Sequence, residues 1–380
     1  MPDPHATPRT VLTGHYNTVN FGDILIAELM AREVRAMTGA PPLCPWVHPD
    51  VANLVCFAAG SGWSDCRGDA AIFGGGGYLN DGIMGGGSRR LLKYALTSRL
   101  FRLTRTPYCV AGVGAGPTCS SKGAKRIRSV LMGAERVGVR DDESVDFLAN
   151  TCGVPRERMT RTADLALAMT RADVPQRASD DIERMLGPGR EGATRLCVHL
   201  QMLPEFREHI PGLVRAIAEG LEGSDVEPFF LFDGGRGGYD VIEAARDEHF
   251  PGARLLPDLD YWQVAAAIAS ADAIITTKLH VGIVGWAFNV PACGVSFHGK
   301  TKRFYKQIGR SDFQVDLGPD SHHDARRWVE TLVQDPEGFA VESAEARVEL
   351  PRLARVNYEI VRKTFEGAGV PLAPGAQAAG

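Results

Sequence analysis

The 380-residue sequence predicts two doubly wound α/β domains facing across a cleft. Three observations carry this expectation. Short apolar runs alternate with amphipathic helical stretches along nearly the whole chain. The alternation lapses in the polar stretch Arg171–Thr194 and then restarts. The length suits two domains of about 100–200 residues each. The expected division is a first domain at 1–175, a linker at 176–194 and a second domain at 195–345. Residues 346–380 read as a closing helix and a frayed tail.

In the first half, Val11–Tyr16 reads as a strand. A turn through Asn20-Phe21-Gly22-Asp23 then opens a helix with Ile26, Leu29, Met30 and Val34 on one face. Asp23 stands where an N-cap is expected, and such a turn also suits an anion or a sugar. Both readings stay open. Ala70–Phe73 is a strand, and Gly74–Gly77 serves either an unusual backbone or a ligand lying on the main chain. Tyr78-Leu79-Asn80-Asp81 follow, then a flexible Gly85–Gly87 loop. The basic helix Ser88–Leu103 reads mostly as a solvated face.

Tyr108–Gly116 is a strand, Ser120–Met132 a helix and Val137–Val139 a strand. Arg140-Asp141-Asp142-Glu143-Ser144 opens the next helix. The acids suit a helix start, but Arg140 opposes the dipole. It either pairs with a neighbouring acid or faces the cleft to clamp an anion. Thr162–Leu167 closes this half as a strand-like piece.

In the second half, Arg195–Gln201, Glu227–Phe232 and Arg254–Leu256 read as strands. Ile210–Leu221, Asp240–His249 and Tyr261–Ser270 read as helices between and after them. Ala273–Thr277 is a buried parallel strand with Lys278-Leu279-His280 at its end. Val281–Phe288 is a buried helix, with Gly282 and Gly285 allowing close approach to the sheet, stopped at Asn289 and Pro291. Ala292–Phe297 is a strand, followed by a basic loop with His298, Lys300, Lys302 and Arg303. Pro351–Phe365 is a final helix expected to return to the first domain. Ligands of open α/β sheets bind outside the carboxyl ends of the strands. Two successive ends here hold two imidazoles and four cations, so an anionic small molecule is expected.

Composition removes several function classes. A net charge of −4 leaves no electrostatic footprint for nucleic acid. No apolar run approaches a membrane span, and the polar start MPDPHATPRT has no signal-peptide core, so a cytoplasmic protein is expected. The 8 cysteines are scattered without a CxxC pair and read as buried thiols in a reducing compartment. No GxGxxG-plus-acid, HExxH or paired DxD pattern is present, so neither a dinucleotide nor a metal is expected.

Together these pieces resemble the polysaccharide pyruvyl transferase family. The resemblance rests on Gly14-His15-Tyr16 with Asn20–Asp23, Gly74–Leu79, and Gly112–Pro117. It continues through Val139-Arg140-Asp141 with Ser144, Ala163-Asp164, Thr277–His280 with Ile283, and Pro291–Lys300. It implies a GT-B-like pair of Rossmann-like domains, the first serving the acceptor and the second the donor. It also implies a pyruvyltransferase of the 2.5.1 type that moves pyruvate from phosphoenolpyruvate onto sugar hydroxyls as a ketal. No cofactor is required beyond phosphoenolpyruvate as co-substrate.

By position, the resemblance implies that His280, Lys278 and Arg140 contact the donor. Many members have arginine where this chain has Lys278, so a point charge replaces a planar fork. Lys300, Arg303 and His298 are expected to add donor contacts. His280 is the expected proton donor, since imidazole titrates near neutrality, with a structural histidine as the other reading. Asn20, Asn80, Asp81 and Gly76 are expected on the acceptor, and Asp23 as a base for its hydroxyl. The acceptor is left open between a lipid-linked repeat unit, a nucleotide sugar, a teichoic-type polymer and a small natural product. A homo-oligomer is also left open. Two rivals remain: a GT-B-type glycosyltransferase or epimerase using a nucleotide sugar, with Asp233 or Asp258 on the ribose, and a non-catalytic anion- or sugar-binding protein.

Overall fold

The structure is a computed structural model that describes residues 7–81, 87–117, 119–200, 207–231, 240–256, 258–296, 299–318 and 320–373. The chain divides into two units: Met1–Ala168 with Leu350–Gly380, and Met169–Glu349. The stretch expected as a linker, 176–194, falls inside the second unit. Its helix Gln176–Leu186 buries Ala178, Ile182 and Leu186, and its Asp181 accepts a hydrogen bond from Gln263 at 3.3 Å.

The first unit is built on one parallel sheet. Its strands are β1 (Thr10–Thr13), β2 (Leu43–Cys44), β3 (Ala58–Ala59), β4 (Ala70–Phe73), β5 (Gly76–Leu79), β6 (Tyr108–Ala115), β7 (Arg136–Val139) and β8 (Met159–Arg161). Their order is β3-β2-β1-β4-β6-β7-β8, with β5 also on β6. The helices that matter below are α1 (Phe21–Thr38), α2 (Gly87–Leu103), α3 (Ser121–Met132) and α4 (Asp142–Asn150). The order reverses between β1 and β4, so right-handed crossovers wind helices onto both faces.

Several expected boundaries move, each for a local reason. β1 stops at Thr13, short of Tyr16, because Tyr16 folds back over the chain. A Cβ added at Gly14 or Gly74 would fall 2.6 or 2.1 Å from Tyr16 atoms. Asp23 is not the cap of α1. Asn20 is, its Oδ1 accepting from Gly22 N at 3.1 Å and Asp23 N at 3.4 Å. Gly74–Gly77 is partly strand: β5 continues the β4 ladder along β6, Phe73 opposite Val110 and Gly76 opposite Val113. The expected loop Gly85–Gly87 lies outside the described residues except for Gly87, which begins α2. Thr162–Leu167 is not a strand. Asp164 Oδ1 accepts from Ala166 N at 3.2 Å and turns the chain into the 3₁₀ segment Leu165–Ala168.

The second unit repeats the plan. Its strands are β9 (Thr194–His199), β10 (Val226–Leu231), β11 (Leu255–Leu256), β12 (Ala273–Thr276), β13 (Ala292–Ser296) and β14 (Gln314–Asp316). They are all parallel, in the order β11-β10-β9-β12-β13-β14. The reversal here lies between β9 and β12. The helix after β12 runs from Leu279 to Ala287, so His280 belongs to its first turn and not to a preceding loop. Gly285 lets it approach the sheet, since a Cβ there would fall 2.4 Å from Ile274 Cδ1. Gly282 serves a neighbouring helix instead, since a Cβ there would fall 3.1 Å from the Tyr305 hydroxyl. The expected basic loop after β13 is a helix, Gly299–Gln307. Its buried Thr301, Phe304 and Tyr305, with Ile308 beyond, have helical spacing that its many cations obscure in the sequence.

The last helix, Ala344–Gly367, begins in the second unit and ends in the first. There it buries Asn357, Ile360 and Phe365, and Asn357 Nδ2 donates to Ala163 O at 3.0 Å. All eight cysteines are free thiols, buried or half-buried. Burial pushes Cys56 and Cys119 up to about 12.

Candidate active site

In the second unit the ends of β9 and β12 meet at the strand-order reversal. Thr276, the last residue of β12, lies opposite His199, the last of β9. Its hydroxyl oxygen is 3.0 Å from His199 Nδ1, accepts from Lys278 N at 2.9 Å and donates to Lys278 O at 3.3 Å. Thr277 N donates to His199 O at 3.1 Å, extending the ladder by one bond. A buried polar knot thus holds the backbone that turns from β12 into its helix.

Lys278 occupies the N-cap position of that helix with an extended backbone (φ −124°, ψ 127°) and makes no side-chain cap. It is only 8% exposed, and His280 two residues on is also buried. A lysine beside the positive end of a helix sums two positive potentials in a poorly hydrated place, which favours an anion. The next strand, β13, pairs with β12, Thr276 opposite Gly294, and it too is followed directly by a helix, Gly299–Gln307. Lys300 and Arg303 lie three apart on that helix and are half-buried, whereas Lys302 is exposed. His298, expected among the donor contacts, lies outside the described residues, as does Asp233. The structure therefore places Lys278 and His280 on one strand end, and Lys300 and Arg303 on the helix after its neighbour.

Arg140 stands at the end of β7 in the first unit and is buried. It pairs with neighbouring acids, one of its two expected readings. Nη1 donates to Asp164 Oδ2 at 2.7 Å, and Nε lies 3.4 Å from Asp141 Oδ2. Burial alone would lower its pKa, but these two carboxylates outweigh that and raise it. The guanidinium lies flat on Gly114, where a Cβ would fall 2.5 Å from Nε. Asp141 also caps α4, accepting from Ser144 N at 2.7 Å. Arg140 precedes that cap, so it does not sit inside the helix's first turn.

The expected acceptor residues hold the first unit's own loops. Asn20 caps α1. Asn80 is buried and donates to Gly77 O at 3.1 Å. Asp81 accepts from Ser120 N at 2.9 Å and Ser120 Oγ at 2.5 Å, tying its loop to the start of α3. Burial opposes the charge of Asp81, but these donors outweigh it and hold the carboxyl below its usual range. Gly76 has φ +121°, so its glycine answers a backbone need. A Cβ there would lie 3.2 Å from the Tyr78 ring and 3.4 Å from Asp23 Oδ1.

Asp23 is half-buried on α1, next to the β1/β4 reversal of this sheet. It borders a group of buried tyrosines, Tyr16, Tyr78 and Tyr94, that sequence reasoning did not single out. Tyr78 donates to Gly74 O at 2.6 Å and packs at a tilt against Tyr94, ring centroids 5.0 Å apart. Burial holds Tyr16 and Tyr78 well above the usual phenol value, and the Asp23 charge is among the lesser causes. His199 and Thr276 were also missed. Their only sequence signal is a place at strand ends, and strand order is needed to bring them together. Among the described residues no group of three or more His, Cys, Asp or Glu side chains is arranged for a metal.

Comparison with known proteins now adds to this geometry. The chain is similar in fold to the UDP-GlcNAc 2-epimerase from Neisseria meningitidis bound to UDP-GlcNAc, at 9% identity and a TM-score of 0.64 over 93% of this chain and 100% of that one. It is similar to the S. aureus MnaA–UDP co-structure at 10% identity and 0.65, over 96% and 98% of the two chains. Anabaena Alr3699/HepE in complex with UDP gives 12% and 0.56, over 95% and 98%. At these identities the likeness is one of fold alone: a GT-B-like α/β fold with two parallel sheets and their helices. No curated protein sequence matches the chain significantly. The profile described as polysaccharide pyruvyl transferase does match, over residues 20–299, from the α1 cap at Asn20 to the helix start at Gly299. That span takes in the Lys278–His280 turn, the His199–Thr276 contact and the Arg140–Asp164 ion pair, and the chain belongs to the polysaccharide pyruvyl transferase family.

Proposed function

We propose that the protein transfers the pyruvyl group of phosphoenolpyruvate to two hydroxyls of a glycan acceptor, forming a cyclic ketal and releasing phosphate. The observation that carries this is buried Lys278 at the start of a helix on the strand-order reversal of the second sheet. Phosphoenolpyruvate carries a phosphate and a carboxylate, and such a place favours concentrated negative charge. Lys300 and Arg303 on the helix after the neighbouring strand supply further cations. Arg140 is assigned to structure, because two buried carboxylates already pair with it.

The chemistry follows from the donor. His280 protonates the methylene carbon, and positive charge develops at the adjacent carbon. One acceptor hydroxyl attacks that carbon and gives up its proton. The second hydroxyl then attacks the same carbon, the C–O bond to phosphate breaks, and the ring closes. Of the two hydroxyl protons, one balances that delivered to the methyl group and the other leaves with phosphate. The acceptor gains a carboxylate.

The test measures phosphate release from phosphoenolpyruvate against a panel of glycan acceptors, alongside thermal unfolding with each donor. Phosphoenolpyruvate should raise Tm, and at least one acceptor should give phosphate release that depends on His280. Stabilisation by UDP-GlcNAc alone would shift the reading to a nucleotide-sugar enzyme. Donor stabilisation with no turnover on any acceptor would favour a binding protein.

A further inference from the structure

In the first unit, α2 and α3 pack side by side on one face of the sheet. Leu91, Tyr94 and Phe101 of α2 share a core with Ile127, Val130 and Leu131 of α3. Arg126 of α3 reaches back to Ser88, donating to its carbonyl at 2.8 Å and lying 2.9 Å from its hydroxyl. Between them the two helices hold nine lysines and arginines and no Asp or Glu. The whole chain is net negative at −4, so this basic character is local.

The outward stripe of α2 is not simply charged. Arg89, Leu92, Leu96, Arg99 and Leu103 follow the spacing i, i+3, i+7, i+10, i+14, which is one helical face. All five are exposed, Leu103 at 82%. On α3 the exposed Lys122, Lys125, Arg128 and Met132 likewise share a side. A solvated basic face has no physical need of exposed leucines. A second copy of the chain on this face would set arginine against arginine. A nucleic acid offers phosphates, but no hydrocarbon to receive isobutyl groups.

We infer that the α2–α3 face lays the protein on a bilayer rich in anionic lipid, the cations on the headgroups and the leucines among the upper acyl carbons. Interfacial helices of this kind carry Lys and Arg beside Leu and need no membrane span. Among the described residues no helix is long and apolar enough to cross a membrane, which fits a protein that rests on the surface. This docking is independent of the transfer chemistry and is read without turnover.

The test is flotation of the full chain with vesicles of phosphatidylcholine alone, or with about one-quarter phosphatidylglycerol. Recovery with the anionic vesicles should exceed that with neutral ones by about tenfold or more and fall as salt rises. The triple variant Arg99→Glu, Arg102→Glu, Lys125→Glu should lose this binding. The double variant Leu96→Ser, Leu103→Ser keeps every charge. It should lose most vesicle binding while holding heparin as wild type does. Its altered side chains are exposed, so its thermal unfolding should match wild type and it reads the outcome even if the charge variant misfolds. No flotation with anionic vesicles at low salt would overturn the inference. So would a leucine variant that floats like wild type, or one whose only change is oligomeric state by light scattering.

Discussion

The imidazole of His199 and the hydroxyl of Thr276 lie 3.0 Å apart, although 77 residues separate them in the chain. They are the last residues of adjacent strands, and the hydroxyl also receives the amide of Lys278. Removing it with the near-isosteric Thr276→Val deletes three buried contacts, to His199 Nδ1, Lys278 N and Lys278 O. The expected cost is about 1–3 kcal/mol of stability, read by denaturant unfolding. Phosphoenolpyruvate binding should weaken as well, because the Lys278 backbone loses its anchor. A variant as stable as wild type would show that the knot is dispensable.

Lys278 and His280 should separate in their effects. Lys278→Met should weaken phosphoenolpyruvate binding by about 10–100-fold, the value of a charged hydrogen bond, and Lys278→Arg should recover much of it. His280→Ala should leave donor binding largely intact and lower turnover by about 10²–10⁴. Titration calorimetry and steady-state phosphate release distinguish the two. Near-wild-type turnover in folded His280→Ala protein removes that residue from the chemistry.

Arg140→Met should destabilise the fold by about 3–5 kcal/mol, because it strands the carboxylates of Asp141 and Asp164 in the interior. Acidification should narrow the gap between variant and wild type by neutralising those carboxylates. Arg140→Lys tests the role directly. It should lower Tm while changing phosphoenolpyruvate affinity by less than about threefold, the outcome for a cation that holds structure. A large affinity loss at unchanged Tm would return Arg140 to the donor.

Asp81 provides a pH test. Its carboxyl is held below the usual range by Ser120, so its contribution is present at neutral pH and lost as pH falls through its folded value. Asp81→Asn should be less stable than wild type at pH 7 by under about 1 kcal/mol, since solvent screens this group. The difference should vanish on acidification through and below about pH 4. A gap that persists in acid would mean that shape, not charge, ties this loop.

Strand and helix order was legible because amphipathic periodicity is a local signal. The helices Ile210–Leu221 and Asp240–His249 and the strand Ala70–Phe73 coincide with their expected limits. The family was legible too, since its motifs keep their order along the chain. Boundaries failed where a side chain acted on backbone, across the sheet in one case and two residues along the chain in the other. Tyr16 cuts β1 short by folding over Gly74, and Asp164 turns a strand-like run into a 3₁₀ segment.

The sequence by itself therefore determined the alternating α/β plan, the candidate residues at strand ends and the basic helix after the glycine-rich loop. Only the tertiary structure decided which strand ends are neighbours and which charges are paired. Arg140 meets Asp164 across 24 residues, and Thr276 meets His199 across 77. Such partnerships depend on the order of strands in a sheet. That order is set by non-local packing, and no periodicity within a single stretch of chain encodes it.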